Sequence, residues 1–298
     1  MPWISIARTA ILGAVMFYPA LSQSSSQKSA ADLVELVRPA VVQIVVEMTE
    51  PPIKRVPSPL EQCFKGRLCV VGTGFFVNAN GDVVTASHVA SGVQMPGRLA
   101  EPGVQQIIQI LKANGINAIS EIGVSAPNVE IPGKLEFESN AQLIPATLVA
   151  TDAAHDVAAF HATVNPFTNM PQGFGIKGVP KTKAALVHLA PARPRDGEEI
   201  FACGFPFGDS GLVTTSGTIA SAWKYQTLPT AGVPIDTYWV DLRINPGNSG
   251  GPVFRLRDHA VIGMAVATLN GSLGVAVPAK YITEFLKAHK IQWTAAAH

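Results

Sequence analysis

Charged side chains are scarce in this 298-residue sequence, where they make up 14% of the residues against 47% that are hydrophobic. Soluble domains average about 25% charged residues, and disordered chains combine high charge with little apolar content. The composition therefore excludes a mainly disordered chain. The 22 Lys and Arg nearly balance the 21 Asp and Glu. Without a broad basic surface to bind phosphates, we expect no nucleic-acid partner.

Long hydrophobic runs are also missing, because no stretch reaches the roughly 20 apolar residues that span a bilayer. A shorter run over residues 10–18 follows the lone cation Arg8 and ends at Pro19. This pattern is typical of a secretory signal, whose apolar region has about 7–15 residues. We predict a signal peptide over residues 1–22, a disordered lead-in over residues 23–30, and an exported protein, periplasmic or secreted, without a stable membrane span. An N-terminal helix packed on the core is the alternative.

Cysteine is rare, with three residues in the whole sequence. Cys63 and Cys69 flank a short loop, and we predict that they form a disulfide in an oxidising compartment, with two reduced thiols as the alternative. Cys203 lies in an apolar run and is predicted to be a buried small hydrophobic residue. No acid or thiol cluster surrounds His155 and His161, so a metal pair there is a minor alternative. We expect no metal and no cofactor.

Turn-forming residues are plentiful, with 26 Gly and 23 Pro, and they separate many short β-branched or alternating runs. Such spacing predicts an all-β fold, either a sandwich or a pair of barrels. An apolar stripe at helical spacing predicts a C-terminal helix over residues 279–288. Residues 93–140 interrupt the strand pattern and are predicted to be an inserted, partly helical surface excursion. The Gly- and Pro-rich residues 163–180 are predicted to be a linker.

The chemistry is most visible at residues 247–252, GNSGGP, where Ser249 stands among glycines. Gly-x-Ser-x-Gly also occurs in the nucleophile elbow of α/β-hydrolases, where the serine begins a helix. We reject that interpretation because Gly250, Gly251 and Pro252 disfavour a helix start. Too little chain remains downstream to supply the acid and then the histidine that the hydrolase order needs.

The opposite chain order, histidine then aspartate then serine, is present. His88 directly follows a predicted strand, and Asp156 directly precedes the apolar strand VAAF. Asp152 competes for the role of the acid, and Asp156 is preferred because it adjoins the strand. Together with Ser249, these residues have the order found in chymotrypsin-type proteases.

The sequence resembles the trypsin-like serine proteases of the chymotrypsin fold and, among them, the HtrA/Deg group. The resemblance extends over residues 31–288 and rests on ordered motifs: GTGFFV (72–77), VTASHV (84–89), DAAHDVAAF (152–160), GFPFG (204–208), TSGTI (215–219), RINPGNSGGP (243–252) and GVAVP (274–278). It implies two six-stranded antiparallel β-barrels with the catalytic residues in the cleft between them. It also implies peptide-bond hydrolysis of protein or peptide substrates through an acyl-enzyme.

The implied protease domain has four parts within residues 31–290. These are barrel one (39–162), a linker (163–183), barrel two (184–278) and a C-terminal helix (279–288). Residues 289–298 are too few for the PDZ domain that many HtrA-type proteases carry, so none is expected. The oligomeric state is left open.

The expected roles follow from the chemistry of a serine hydroxyl, which is a poor nucleophile without a base. His88 takes and returns its proton, and Asp156 fixes the tautomer of His88. The N–H groups of Gly247 and Ser249 hold the developing oxyanion.

Arg243 stands where this fold lines its specificity pocket, with residues Ala265, Val266, Ala267 and Thr268 as another wall. A buried cation there would favour an acidic or small polar residue before the cut bond. The alternative is an Arg243 side chain that points outward or pairs with Asp241.

Two other function classes remain open at this point. One is a catalytically silent or conditionally active binding protein, chaperone-like, on the protease fold. The other is an esterase that uses the same nucleophile.

Overall fold

The computed structural model describes residues 30–48, 68–94, 119–125, 143–163, 186–208, 211–228, 232–269 and 271–296. These ranges contain the helices α1 (Ala30–Val37), α2 (Ser87–Gln94) and α3 (Ala279–Ala288) together with fourteen β-strands. The predicted signal peptide and most of the predicted linker lie outside the described residues.

The first six strands form a closed antiparallel barrel, with the order β1-β2-β3-β6-β5-β4 around it. They are β1 (Val41–Met48), β2 (Leu68–Phe76), β3 (Asp82–Thr85), β4 (Ile119–Ser125), β5 (Leu143–Asp152) and β6 (Val157–Ala162). Their buried side chains are mainly β-branched, aromatic or alanine, which suit a closely packed sheet. Closure leaves no unpaired strand edge in this barrel.

Barrel two is built from the later strands, and six of them close a second ring. The order β11-β8-β9-β10-β13-β12 is completed by pairing between β11 and β12, and β7 and β14 add to the β12 side. These strands are β7 (His188–Leu189), β8 (Glu199–Gly204), β9 (Val213–Thr227), β10 (Pro234–Val240), β11 (Pro252–Arg255), β12 (Val261–Leu269), β13 (Leu273–Pro278) and β14 (Thr294–Ala295). The predicted pair of six-stranded antiparallel barrels with a C-terminal helix is confirmed.

The prediction that residues 93–140 form an insertion is wrong in part, because β4 lies within them and is a barrel strand. It pairs with β1 on one side and with β5 on the other. Its sequence, ISEIGVS, places Ser120 and Glu121 side by side and lacks strict alternation, so its strand character depends on its two neighbours in the barrel. The predicted short helix near residues 104–111 lies outside the described residues.

Helix α3 packs through one face, on which Ile282, Phe285 and Leu286 are buried. This is the apolar stripe that the sequence predicts. Tyr281 lies beside this face, half-buried, and contacts the turn between β5 and β6 of barrel one. Within the described ranges, no helix is long and apolar enough to cross a membrane.

Phe160 on β6 is a direct test of the barrel-one core, since 1% of its surface is exposed, whereas Leu148 on the neighbouring β5 is 42% exposed. We expect Phe160→Ala to lower the free energy of unfolding by about 3–5 kcal/mol, because it removes a large buried ring and leaves a cavity. Leu148→Ala should cost less than about 1 kcal/mol. Urea unfolding of both variants measures the difference, and equal losses would contradict the described core.

Candidate active site

His88 and Asp156 are brought together by the pairing of β3 with β6. Thr85 at the end of β3 is paired with Ala158 near the start of β6, so the residues that follow β3 lie beside those that precede β6. His88 is the second residue of α2, and its main-chain N–H donates to Asp156 Oδ1 at 2.9 Å. Its ring Nδ1 lies 2.8 Å from Asp156 Oδ2 and 3.1 Å from Oδ1.

The Asp156 carboxylate is buried, with none of its side chain exposed, while 27% of the His88 side chain is exposed. A buried carboxylate needs hydrogen-bond donors, and His88 supplies both its main-chain N–H and its ring. Because an ionised carboxylate only accepts hydrogen bonds, the proton of the His88 ring belongs on Nδ1. This tautomer leaves Nε2, on the other side of the ring, able to accept a proton.

Asp152, the other candidate for the acid, binds the turn before Asp156. Its Oδ1 accepts the N–H groups of Ala154 and His155 at 3.0 and 3.2 Å, and its Oδ2 lies 2.6 Å from His155 Nδ1. Asp152 therefore closes the turn before Asp156 and does not contact His88 among the described residues. His161 pairs with another acid, Asp82, at 2.8 Å. No group of three or more metal-ligating side chains was found in the described parts of the chain.

Ser249 lies on the loop between β10 and β11 of barrel two, and this loop packs against the segment that precedes His88. The main-chain N–H of Thr73 on β2 donates to the Ser249 carbonyl at 2.9 Å. A Cβ added to Gly250 would lie 2.2 Å from Thr85 Oγ1 and 3.0 Å from Ala86 N, and the φ of Gly250 is +84°. Only glycine fits such a left-handed position so close to another backbone. The glycine thus lets the loop approach the residues next to His88.

The hydroxyl of Ser249 donates to the carbonyl of Val266 on β12 at 3.4 Å. This distance exceeds the usual range for a hydroxyl donor, so the bond is weak. The Ser249 residue is partly exposed. The hydroxyl is therefore held loosely, in a residue that solvent partly reaches.

Two peptide groups before Ser249 are oriented by neighbouring segments. The Pro246 carbonyl accepts the N–H of Phe207 at 2.6 Å, and the Gly247 carbonyl accepts the hydroxyl of Thr73 at 2.7 Å. Because the described chain has no cis peptide bond, the N–H of Gly247 points away from Phe207. Within the described residues, the N–H groups of Gly247 and Ser249 have no protein acceptor. Both donors are free to bind an incoming oxygen atom.

No residue other than glycine fits at position 247. Its φ is +97°, and an added Cβ would lie 2.3 Å from the carbonyl oxygen of Phe205. The role expected of Gly247 from the sequence is to donate its N–H to the oxyanion. The structure shows that the glycine is also required by its own neighbours.

The residues expected to line the specificity pocket lie partly beside Ser249. Ala265 exchanges main-chain hydrogen bonds with the loop that carries Ser249, accepting from Gly250 and donating to Gly251, both at 2.8 Å. The hydroxyl of Thr268 donates to the carbonyl of Ile244, which connects β12 to the segment before the loop. Val266 is buried and Ala267 partly so.

Arg243 is exposed, although Leu242 and Ile244 on either side of it are buried. Water hydrates the exposed guanidinium, so Arg243 is not the buried cation that was expected in the specificity pocket. A contact between Arg243 and a bound substrate stays a prediction.

Cys203 on β8 is a buried free thiol, 2% exposed. Burial raises its pKa to about 11, which the hydrogen bond with Thr214 only partly offsets. Such a thiol carries almost no thiolate near neutral pH and is a poor nucleophile. Cys63 and the side chain of Cys69 lie outside the described residues, so their disulfide stays a prediction.

Two contributors to the site were not found from the sequence, namely Thr73 and Phe207. Both lie within motifs that carry the family resemblance, GTGFFV and GFPFG. Neither has a side chain of obvious catalytic type, and Phe207 acts through its main-chain N–H. Only the positive φ of Phe207, +58°, marks it as unusual, and a sequence does not display that angle.

Residues 72–264 match the family model described as a trypsin-like peptidase domain. Serine protease HTRA3 of Homo sapiens is 28% identical over 259 residues, which are 86% of this chain and 44% of that protein. The mitochondrial serine protease HTRA2 of Bos taurus is 26% identical over 283 residues, which are 93% of this chain and 46% of that protein. The chain thus spans less than half the length of these two relatives.

A probable periplasmic serine endoprotease, DegP-like, of Rickettsia conorii is 40% identical over 101 residues, or 31% of this chain and 20% of that protein. Among solved structures, the HtrA-type protease AlgW with a decapeptide has the same fold, with a TM-score of 0.55 and 20% identity. That match covers 88% of this chain and 68% of the AlgW chain. Since the family model matches well over half of the chain and includes His88, Asp156 and Ser249, the chain belongs to the trypsin-like peptidase domain family and has HtrA proteases among its homologues.

Proposed function

We propose that this chain is an exported serine endopeptidase, in which Ser249, His88 and Asp156 hydrolyse peptide bonds of protein substrates through an acyl-enzyme. The observation that carries the proposal is the buried carboxylate of Asp156. It binds both the main chain and the ring of His88, and the glycine-rich loop that carries Ser249 packs against the residues just before His88. This arrangement supports a role for His88 as a base of fixed orientation that activates the Ser249 hydroxyl.

The reaction proceeds in two halves. Ser249 Oγ attacks the scissile carbonyl carbon while His88 Nε2 takes the hydroxyl proton, and Asp156 stabilises the resulting imidazolium. The C–N bond then breaks, the proton passes from His88 to the leaving amine, and an ester joins the acyl group to Ser249. In the second half, His88 takes a proton from water. The hydroxide attacks the ester, and the proton returns to Ser249 as the acid leaves.

The hydroxyl of Ser249 has to turn from Val266 towards His88 for the first step. Its bond to the Val266 carbonyl is long, 3.4 Å, so giving it up costs little. Hydrogen bonds of catalytic groups are often long or poorly aligned before a substrate binds. The Val266 orientation is therefore compatible with activity.

The negative charge of the tetrahedral intermediate would be held by the N–H groups of Gly247 and Ser249.

 The hydroxyl of Thr73 binds the Gly247 carbonyl and the N–H of Phe207 binds the Pro246 carbonyl. Each of these bonds fixes the plane of a peptide group in the loop. The Phe207 bond leaves the N–H of Gly247 directed to the opposite side, where an oxyanion can accept it.

The kind of substrate and the location are inferred from the relatives and from the N-terminal sequence. The matched relatives are named as serine proteases, and the AlgW structure contains a decapeptide, which supports peptide or protein substrates. The apolar segment after Arg8 and the periplasmic DegP-like relative support export. A disulfide between Cys63 and Cys69 would be stable in that environment.

The proposal is tested by labelling Ser249 and by assaying cleavage of a denatured protein. We expect the folded protein to react with a fluorophosphonate probe and to degrade the denatured substrate. Ser249→Ala should abolish both, because it removes the nucleophile. Ser216→Ala, which changes an exposed serine of β9, is the matched control and should behave as the unchanged protein.

A folded protein that neither labels nor cleaves would contradict the proposed endopeptidase and favour a binding protein. Hydrolysis of small esters without cleavage of any protein or peptide would instead favour an esterase.

Thr73 provides a second test, aimed at the oxyanion site. Thr73→Val keeps the shape of the side chain but removes the hydroxyl that donates to Gly247 and accepts the N–H of Phe205. We expect kcat to fall about tenfold to hundredfold. Losing an oxyanion donor altogether lowers kcat by a similar or larger factor. The affinity for a peptide aldehyde, which mimics the tetrahedral state, should fall by a similar factor.

Thr73→Ser retains the hydroxyl and is the control, with most of the turnover preserved. If Thr73→Val turned over substrate at the original rate and bound the aldehyde equally well, the assigned role of Thr73 would be wrong.

A further inference from the structure

Asp156 is held in an unusual backbone conformation by the turn that precedes it. Its φ is +55°, a left-handed value that few residues other than glycine adopt, although aspartate tolerates it better than most. Such conformations persist when their surroundings hold them in place. The contacts that hold this turn therefore bear on the position of the carboxylate that faces His88.

The turn is held by hydrogen bonds to Asp152 and by a ring stack on His155. Asp152 Oδ1 accepts two main-chain N–H groups of the turn, and Asp152 Oδ2 lies 2.6 Å from His155 Nδ1. The His155 ring in turn stacks on the Tyr281 ring, with centroids 4.2 Å apart and planes inclined by 25°. His155 is the residue immediately before Asp156, so this stack fixes the chain next to the carboxylate. We call Asp152, His155 and Tyr281 the acid-turn clamp.

The far end of the clamp is anchored on barrel two. Tyr281 belongs to α3, and its hydroxyl accepts the main-chain N–H of Asp236 on β10 at 3.3 Å. Lys280 Nζ lies 4.5 Å from the centroid of the Tyr281 ring and 2.5 Å from Asp236 Oδ2. The ring of Tyr281 is thus fixed by contacts with the barrel that also carries Ser249.

We propose that His155 and Tyr281 are positioning residues that keep Asp156 against His88, so that helix α3 is part of the catalytic apparatus. This inference rests on the proposed function of the same site. His155 and Tyr281 act through Asp156 and do not contact the reacting atoms. The clamp also explains why the rings of His155 and Tyr281 meet here, since the turn by itself requires neither ring.

The clamp is distinguishable from a contact that merely stabilises the fold. The side chains of His155 and Asp152 are 33% and 30% exposed, and ion pairs with that much exposure contribute little to folding. Its loss should therefore act more strongly on the catalytic pair than on the stability of the chain.

His161 offers a matched control on the same strand. It forms an equivalent pair with Asp82, at 2.8 Å between His161 Nδ1 and Asp82 Oδ1. It lies towards the other end of β6, five residues beyond Asp156 in the sequence. Removing it deletes a histidine–aspartate pair from barrel one without touching the acid turn.

The experiment compares His155→Ala and Tyr281→Leu with His161→Ala in the full chain. We expect each of the first two to lower kcat about tenfold with little change in KM, because they reduce the fraction of molecules with Asp156 in place. His161→Ala should retain the original kcat. Tyr281→Phe keeps the stacked ring and should regain most of the turnover lost in Tyr281→Leu.

A double-mutant cycle with Asp156→Asn then tests whether His155 acts through the acid. In the Asp156→Asn background, His155→Ala should no longer slow the labelling of Ser249 by a fluorophosphonate. An equal slowing in both backgrounds would overturn the inference, and so would an unchanged kcat in both His155→Ala and Tyr281→Leu.

A readout without turnover separates this inference from the proposed function. The proton on His88 Nδ1, hydrogen-bonded to Asp156, gives a downfield proton NMR signal that Asp156→Asn identifies by removing it. We expect His155→Ala and Tyr281→Leu to broaden this signal through faster exchange with water, and His161→Ala to leave it sharp. A signal equally sharp in all three variants would overturn the clamp. Absence of both labelling and cleavage in the unchanged protein would contradict the proposed function alone.

Discussion

The buried carboxylate of Asp156 sets the condition on which the site depends. An ionised group without solvent contact needs hydrogen-bond donors, and His88 provides its main-chain N–H and its ring. The requirement of the carboxylate for donors therefore fixes the orientation of the imidazole. The same contact places the ring proton on Nδ1 and leaves Nε2 available for proton transfer. The same interaction thus holds the His88 ring in place and prepares it for proton transfer.

The rest of the site is assembled across the two barrels. Thr73 of barrel one binds the Gly247 and Ser249 carbonyls of barrel two, while α3, which follows barrel two, contacts the acid turn of barrel one through Tyr281. One of these contacts involves the loop that carries Ser249, and the other involves the turn that carries Asp156. A change in the packing of the barrels would therefore disturb both the proposed oxyanion donors and the position of Asp156.

The sequence was sufficient to predict the two barrels, because short strands and turn residues alternate along most of the chain. It missed β4, whose irregular pattern acquires strand character from pairing with β1 and β5. From chain order and motifs it predicts His88, Asp156 and Ser249 as catalytic residues, and the structure brings His88 and Asp156 into contact. Contacts between distant segments, such as Thr73 with Gly247 or His155 with Tyr281, follow from tertiary packing. The exposure of Arg243 was also missed, because its position in a motif did not predict whether its side chain is buried.

The central claim, that Ser249 forms a covalent acyl-enzyme, is tested most directly by mass spectrometry of the intact protein. The protein is mixed with an activated ester whose acyl group hydrolyses slowly, quenched in acid, digested and mapped. The account predicts a single added acyl group on the peptide that contains Ser249, and no such adduct in Asp156→Asn at the same reaction time. An acyl group on another residue, or a folded protein that accepts none from any activated ester or peptide substrate, would contradict it.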